Sequence, residues 1–192
     1  IKSIYKKRNY MKKSILLLFV LVNFLNALTF EEVQTIQKVE GSMKALSGYK
    51  QLAEENDPKA IHELAIIYLT GDQIARNINK AHELFKKASE LGNSESTYLL
   101  AKMYLSNKTI YYDEKKAYNT FVDAANQNNA KAQFMLAKFF LLGGVVPKDY
   151  EKALYYFKLA SKQKEYEANC YIAYMYASGT GVFPNFGRAN TF

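Results

Sequence analysis

The chain has 192 residues, enough for one compact domain or a short repeat array, and its apolar content, with 16 Tyr and 12 Phe, is enough to bury a core. Its formal net charge of +8 is unevenly placed: residues 1–30 carry six basic side chains and no acidic one, which leaves 20 basic against 18 acidic over 31–192. A body with a net charge of +2 and only Arg76 and Arg188 as arginines lacks the cationic stripe that a polyanion requires, so nucleic acid is not an expected partner.

The first segment reads as a leader. Met11-Lys12-Lys13 is a short basic region, Ile15 to Val22 is unbroken apolar, and Leu25-Asn26-Ala27 offers a small residue for cleavage. Its apolar core of about 11 residues is well short of the roughly 20 that span a bilayer. Residues 11–27 are therefore expected to be a signal peptide and residues 1–10 an upstream extension. The protein is expected to be exported, periplasmic or secreted, and to meet the membrane only through this segment. An uncleaved leader would instead make it a membrane-tethered structural adaptor.

From Phe30 the chain turns polar and helix-forming. Glu31 to Glu40 and Ser42 to Glu55 read as helices, separated by Gly41. Ala45 and Tyr49 stand 36 residues before Ala81 and Phe85, so residues 28–58 are expected to hold a partial repeat that caps an array.

Beyond them the sequence repeats with a 36-residue step: Leu64-Ala65, Leu100-Ala101, Leu136-Ala137 and Ile172-Ala173. Full units are expected at 59–94, 95–130 and 131–166, with a truncated fourth at 167–192. Tyr68, Tyr104, Phe140 and Tyr176 share one column, and Phe85, Phe121 and Phe157 another. Ala81, Ala117 and Ala153 align, as do Ala88, Ala124 and Ala160. Spacings of three and four residues place these columns along one stripe of each of two helices per unit. Alanine belongs where two helix backbones approach closely and a neighbouring aromatic fills the remaining space. The fourth unit stops in mid-helix, so the native chain is expected to continue.

The punctuation repeats as well. Asp57, Asn93 and Asn129 precede the first helix of their units, and Asn77, Asp113, Asp149 and Asn185 the second, as N-caps do. Gly71, Gly143 and Gly179 follow the first helix, where a left-handed residue is favoured, and Asn107 is expected to serve in unit two. Ile74, Ile110, Val146 and Val182 align within the loop, each expected to tuck onto the neighbouring unit.

Leu136-Ala137-x-x-Phe140-x-x-Gly143-Gly144-Val145-Val146, with Asp149, Ala153, Phe157 and Ala160, resembles the Sel-one-like repeat, a relative of the tetratricopeptide repeat. So does Ile172-Ala173-x-x-Tyr176-x-x-Gly179-Thr180-Gly181-Val182. The resemblance implies an all-α fold, a right-handed α/α superhelix (solenoid) that scaffolds protein partners. Ser106-Asn107-Lys108-Thr109 in unit two departs from it by lacking the glycines. Exported members of the family include cysteine-rich proteins with a bridge between helices of adjacent units, some designated β-lactamase or penicillin-binding. That association implies β-lactam hydrolysis as an alternative function. The bridge positions fall near Ser89 and Thr97 here, and Cys170 is the only cysteine. A lone Cys on a helix is expected to be buried as a small hydrophobe.

The residues themselves point away from catalysis. His62 and His82 lie in different helices at columns that hold aromatic or aliphatic residues in sister units, and no cluster has metal-ligand spacing, so neither metal nor cofactor is expected. Ser161-x-x-Lys164 has the spacing of a serine β-lactamase nucleophile and its lysine, but no Ser-Asp-Asn or Lys-Thr-Gly accompanies it. Specificity should lie where the units disagree. On the first helices, the stripe through positions 59, 62, 66 and 70 and their counterparts mixes charge, aromatic and apolar residues. His62, Ile66, Tyr98, Lys102, Phe134, Lys138 and Tyr174 are the expected contacts for a protein or peptide partner on the concave side.

Overall fold

The computed structural model describes residues 28–71 and 74–192. The leader lies outside the described residues. Ten helices, and no strand, are formed among those described. They are α1 (Phe30–Glu40), α2 (Ser42–Glu54), α3 (Pro58–Thr70), α4 (Ile78–Glu90), α5 (Ser94–Leu105), α6 (Glu114–Asn126), α7 (Ala130–Leu142), α8 (Tyr150–Lys162), α9 (Glu167–Ser178) and α10 (Phe186–Ala189). Each helix packs on the next, so the chain zigzags through an α/α solenoid.

Eight of the ten described helices start at a side-chain cap. Thr29 and Glu32 close a capping box at α1. Asp57, Asn93 and Asn129 accept backbone N–H groups of the first helices at 2.8–3.0 Å. Asn77, Asp113, Asp149 and Asn185 do the same for the second helices at 2.8–2.9 Å. The exceptions are α2, preceded by Gly41, and the fourth first helix, α9, preceded by Tyr166; neither residue gives a side-chain cap.

The core is the set of repeated columns. Phe85, Phe121 and Phe157 are fully buried, as are Ala81, Ala117, Ala153, Ala88, Ala124 and Ala160. Tyr49 fills the same place in the capping helices, its hydroxyl donating to Gln37 at 2.6 Å. Gly48 lets α2 approach α1, since a Cβ there would come 2.6 Å from a Val33 methyl. Tyr118, Met135 and Tyr156 join the core of the first units to that of the last.

One backbone bond closes every unit. The N–H of the second-helix cap donates to the carbonyl of the first-helix aromatic: Asn77 to Tyr68, Asp113 to Tyr104, Asp149 to Phe140 and Asn185 to Tyr176, at 2.8–2.9 Å. The glycine loops and the glycine-free loop therefore end in the same place. They begin differently. Gly71 and Gly179 are left-handed as expected, and Gly143 has a positive φ of 76° in another region. Asn107 does not take a left-handed conformation. Instead α5 stops at Leu105 with Ser106 extended, and the Thr109 hydroxyl donates toward the Met103 and Ser106 carbonyls.

That rearrangement also overturns the expectation for Ile110, which is 84% exposed, whereas Ile74, Val146 and Val182 pack against the core. Tyr111 replaces it, stacking on His82 with ring centroids 3.8 Å apart. Between units runs a second left-handed column, Asn56, Gly92, Asn128 and Lys164, with φ of 62–85°. Each of these donates its N–H three residues back, to Ala53, Ser89, Ala125 and Ser161.

Candidate protein-interaction face

Side chains of the first helices meet across unit boundaries. His62 Nδ1 lies 2.7 Å from Ser96 Oγ, and its ring packs edge-on to Phe85. Burial lowers the His62 pKa, with Glu95 acting to raise it and Lys131 to lower it. Lys131 donates to Glu95 Oε1 at 2.6 Å, and Asn129 donates to Oε2 of the same carboxylate at 3.0 Å. Burial alone would raise the Glu95 carboxyl, but these hydrogen bonds and the Lys131 charge outweigh it and hold it below its ordinary value. The same pair holds the Lys131 ammonium above its own.

Tyr98 is half-buried with two cations beside its ring: Lys102 and Lys131 each place Nζ 5.6 Å from its centroid. Burial raises its phenol first of all, and Glu95, Glu165 and Glu167 add to that while Lys131 opposes it. Lys138 repeats the arrangement one unit on, 5.7 Å from the Phe134 ring. Lys102 and Lys138 form no ion pair among the described residues.

The expected contact residues thus divide. Lys102 and Tyr174 are exposed, Tyr174 at 57%, while His62, Ile66, Tyr98 and Lys138 are half-buried. Phe134 is a correction: it is 8% exposed, because Tyr171 of the next first helix lies edge-on to it at 5.5 Å and Phe157 at 5.7 Å. Cys170 is the opposite correction. Burial was expected, yet the thiol is exposed, with no described ring over it such as Tyr171 provides for Phe134. With Tyr171 and Tyr174 it lines a shallow pocket. Sequence reasoning missed the Glu95–Lys131–Asn129 cluster; opposite charges at equal positions of adjacent units were the available signal.

Ser161 and Lys164 have a structural explanation. They close the turn that ends α8, with the Lys164 N–H donating to the Ser161 carbonyl at 2.9 Å, as Gly92 does to Ser89. Ser89 Oγ and Thr97 Oγ1, near which the resemblance places a bridge, are hydrogen-bonded at 2.8 Å. Among the described residues no group of His, Cys, Asp and Glu side chains could hold a metal ion, and no helix is long and apolar enough to cross a membrane.

A stack of helix pairs with a constant core and a variable first-helix face defines an α-solenoid scaffold. The chain belongs to the Sel1 repeat family, whose model matches residues 58–93, 130–165 and 167–191. The stretch left unmatched contains the glycine-free loop, yet it folds as its neighbours do. Sel1 repeats form scaffolds suited to protein–protein interaction.

The fold is similar to that of a Sel1 repeat protein from Oxalobacter formigenes (23% identity, 82% of this chain and 66% of that one, TM-score 0.73). It is also similar to a protective antigen with an SLR fold from uropathogenic Escherichia coli (26% identity, 83% and 35%, TM-score 0.74). Helicobacter pylori cysteine rich protein B is a more distant likeness (19% identity, 73% and 95%, TM-score 0.51). The chain therefore spans about two thirds of the first of these proteins and about a third of the second. No curated protein matches it.

Proposed function

We propose that this protein is an exported, non-catalytic scaffold that binds a protein or peptide along the concave face made by its first helices. The observation that carries the reading is the pairing of aromatic rings with lysines that have no carboxylate partner among the described residues, Tyr98 with Lys102 and Phe134 with Lys138, continued by the exposed Tyr174. Rigid amphipathic rings beside free charges are the residues that interfaces use as anchors. Export rests on the composition of residues 11–27.

Affinity capture with the full chain tests the interaction. A specific partner should be retained by the wild type and lost with Tyr98→Ala and Tyr174→Ala together, with helical circular dichroism showing that the double variant, though less stable, is still folded. Retention by the double variant would overturn the proposed face. A mature mass lacking residues 1–27 in the exported fraction is expected, and a cell-retained chain of full mass would overturn export. Nitrocefin turnover that Ser161→Ala abolishes would overturn the non-catalytic reading.

A further inference from the structure

Unit three breaks the repeat at the surface. Leu142, the last residue of α7, stands in a column that otherwise carries hydroxyls: Thr70, Ser106 and Ser178. Thr70 and Ser178 fold back on their own helices, donating to the Ile66 and Tyr174 carbonyls at 2.9 and 2.8 Å. Leucine cannot do this, and Leu142 is 65% exposed. Three residues earlier Phe139 is half-buried, whereas its counterparts Ile67, Met103 and Met175 are at most 6% exposed.

Beside these two residues lies a cleft of about 280 Å³, lined by Leu105, Met135, Lys138, Phe139, Leu142 and Val145. It opens where α5 stops one residue short of its counterparts α3 and α7. A pocket for a small molecule encloses roughly 300–1,000 Å³ around several convergent polar groups. This cleft is smaller and its walls are mostly apolar, which suits one or two side chains of a bound peptide.

The rim is cationic. Lys138 lines the cleft, and the Lys148 stem lies across its Gly143 edge, so that a Cβ on Gly143 would come 2.9 Å from Lys148 Cγ. Neither lysine is ion-paired among the described residues. Among the described lining residues the carboxylate is Glu114, which accepts the Tyr112 hydroxyl at 2.5 Å and keeps its charge, so the two lysines leave the rim net positive by one. We infer that the cleft receives a bulky apolar side chain from an acidic peptide segment of the partner, with that segment's carboxylates on Lys138 and Lys148. This rests on the reading that the first-helix face binds a protein or peptide. The apolar contact supplies affinity and the charges supply register and selectivity.

The test uses the full chain and three fluorescein-labelled peptides read by anisotropy: GSDELFDEGS, its lysine counterpart GSKKLFKKGS, and GSDESSDEGS without the apolar pair. Only the first should bind, and Leu142→Ser and Lys138→Glu should each weaken it by about tenfold or more. Leu142→Ser restores the hydroxyl of the sister units, so an unchanged thermal midpoint is expected to show that the fold persists. Shifts of the Met135 methyl resonance on titration locate the peptide. No binding, equal binding of the lysine peptide, or indifference to Leu142→Ser would overturn the inference. Binding lost with Tyr98→Ala but not with Leu142→Ser would overturn the cleft while leaving the first-helix face standing. Self-association that Leu142→Ser abolishes would assign the cleft to a second copy and overturn the peptide.

Discussion

Replacing Phe134 by alanine separates the two roles open to that position, a contact for a partner or a part of the core. The ring packs against both Phe157 and Tyr171, which themselves stack at 4.9 Å, and it is 8% exposed. Truncating a buried Phe costs about 3–5 kcal/mol in lost burial and residual cavity. Phe157 and Tyr171 already stack on each other and can close part of the cavity, so the lower end, about 3 kcal/mol, is expected. Against a total of about 5–15 kcal/mol this is a large loss. Urea unfolding followed by circular dichroism should show a lower midpoint at unchanged m-value. Amide exchange should lose protection mainly in α7, α8 and α9, because each repeat leans on its neighbours. Tyr174→Ala, on an exposed ring, should stay within about 0.5 kcal/mol. If Phe134→Ala costs no more than Tyr174→Ala, the placement of Phe134 in the interior is refuted.

Three further outcomes are expected. Lys164 holds a left-handed φ of 68° where a sister unit has Gly92, so Lys164→Gly should stabilise the fold by about 1 kcal/mol and raise Tm by about 2–4 °C; a lower Tm would contradict the strain. Ser89→Cys with Thr97→Cys should form a bridge that adds about 2–3 kcal/mol, visible as a Tm that falls on reduction, and free thiols after oxidation would count against it. Burial, the leading cause, lowers both His62 and His82; for His82 Lys116 and Lys86 lower it further. The folded chain therefore binds these protons less tightly than the unfolded one. Their contribution is present above the unfolded value of about 6.5 and is lost as pH falls through it toward the folded values. Tm should accordingly drop from about pH 7.5 to about pH 5.5, and the drop should shrink in His62→Tyr with His82→Tyr, which carry the residues of unit two. An undiminished drop would place the titration elsewhere.

Much of the fold was legible in the residues themselves. A helix cap needs only an oxygen-bearing side chain and a backbone N–H two or three residues on, so Asp57, Asn77 and their counterparts could be placed from spacing alone. The core columns were legible because identical units must bury identical stripes. The left-handed turn between units was harder to see, since Asn56, Gly92, Asn128 and Lys164 share a conformation rather than a residue type. The glycine-free loop was misjudged at Asn107 and Ile110 because a threonine hydroxyl can end a helix by binding its carbonyls, which no glycine rule anticipates.

The candidate face marks the boundary between the two kinds of information. By itself the sequence determined the 36-residue period, the helix ends and the buried spine, because each depends on residues within one or two turns or on a pattern that every unit repeats. Only the tertiary structure decided which of the variable positions meet solvent. Phe134 and Cys170 occupy the same column, yet one is covered by Tyr171 and the other is exposed, since exposure is set by contacts between units that no single repeat encodes. The cleft beside Leu142 is likewise a product of two units, a shortened α5 and an apolar end to α7 brought together by stacking.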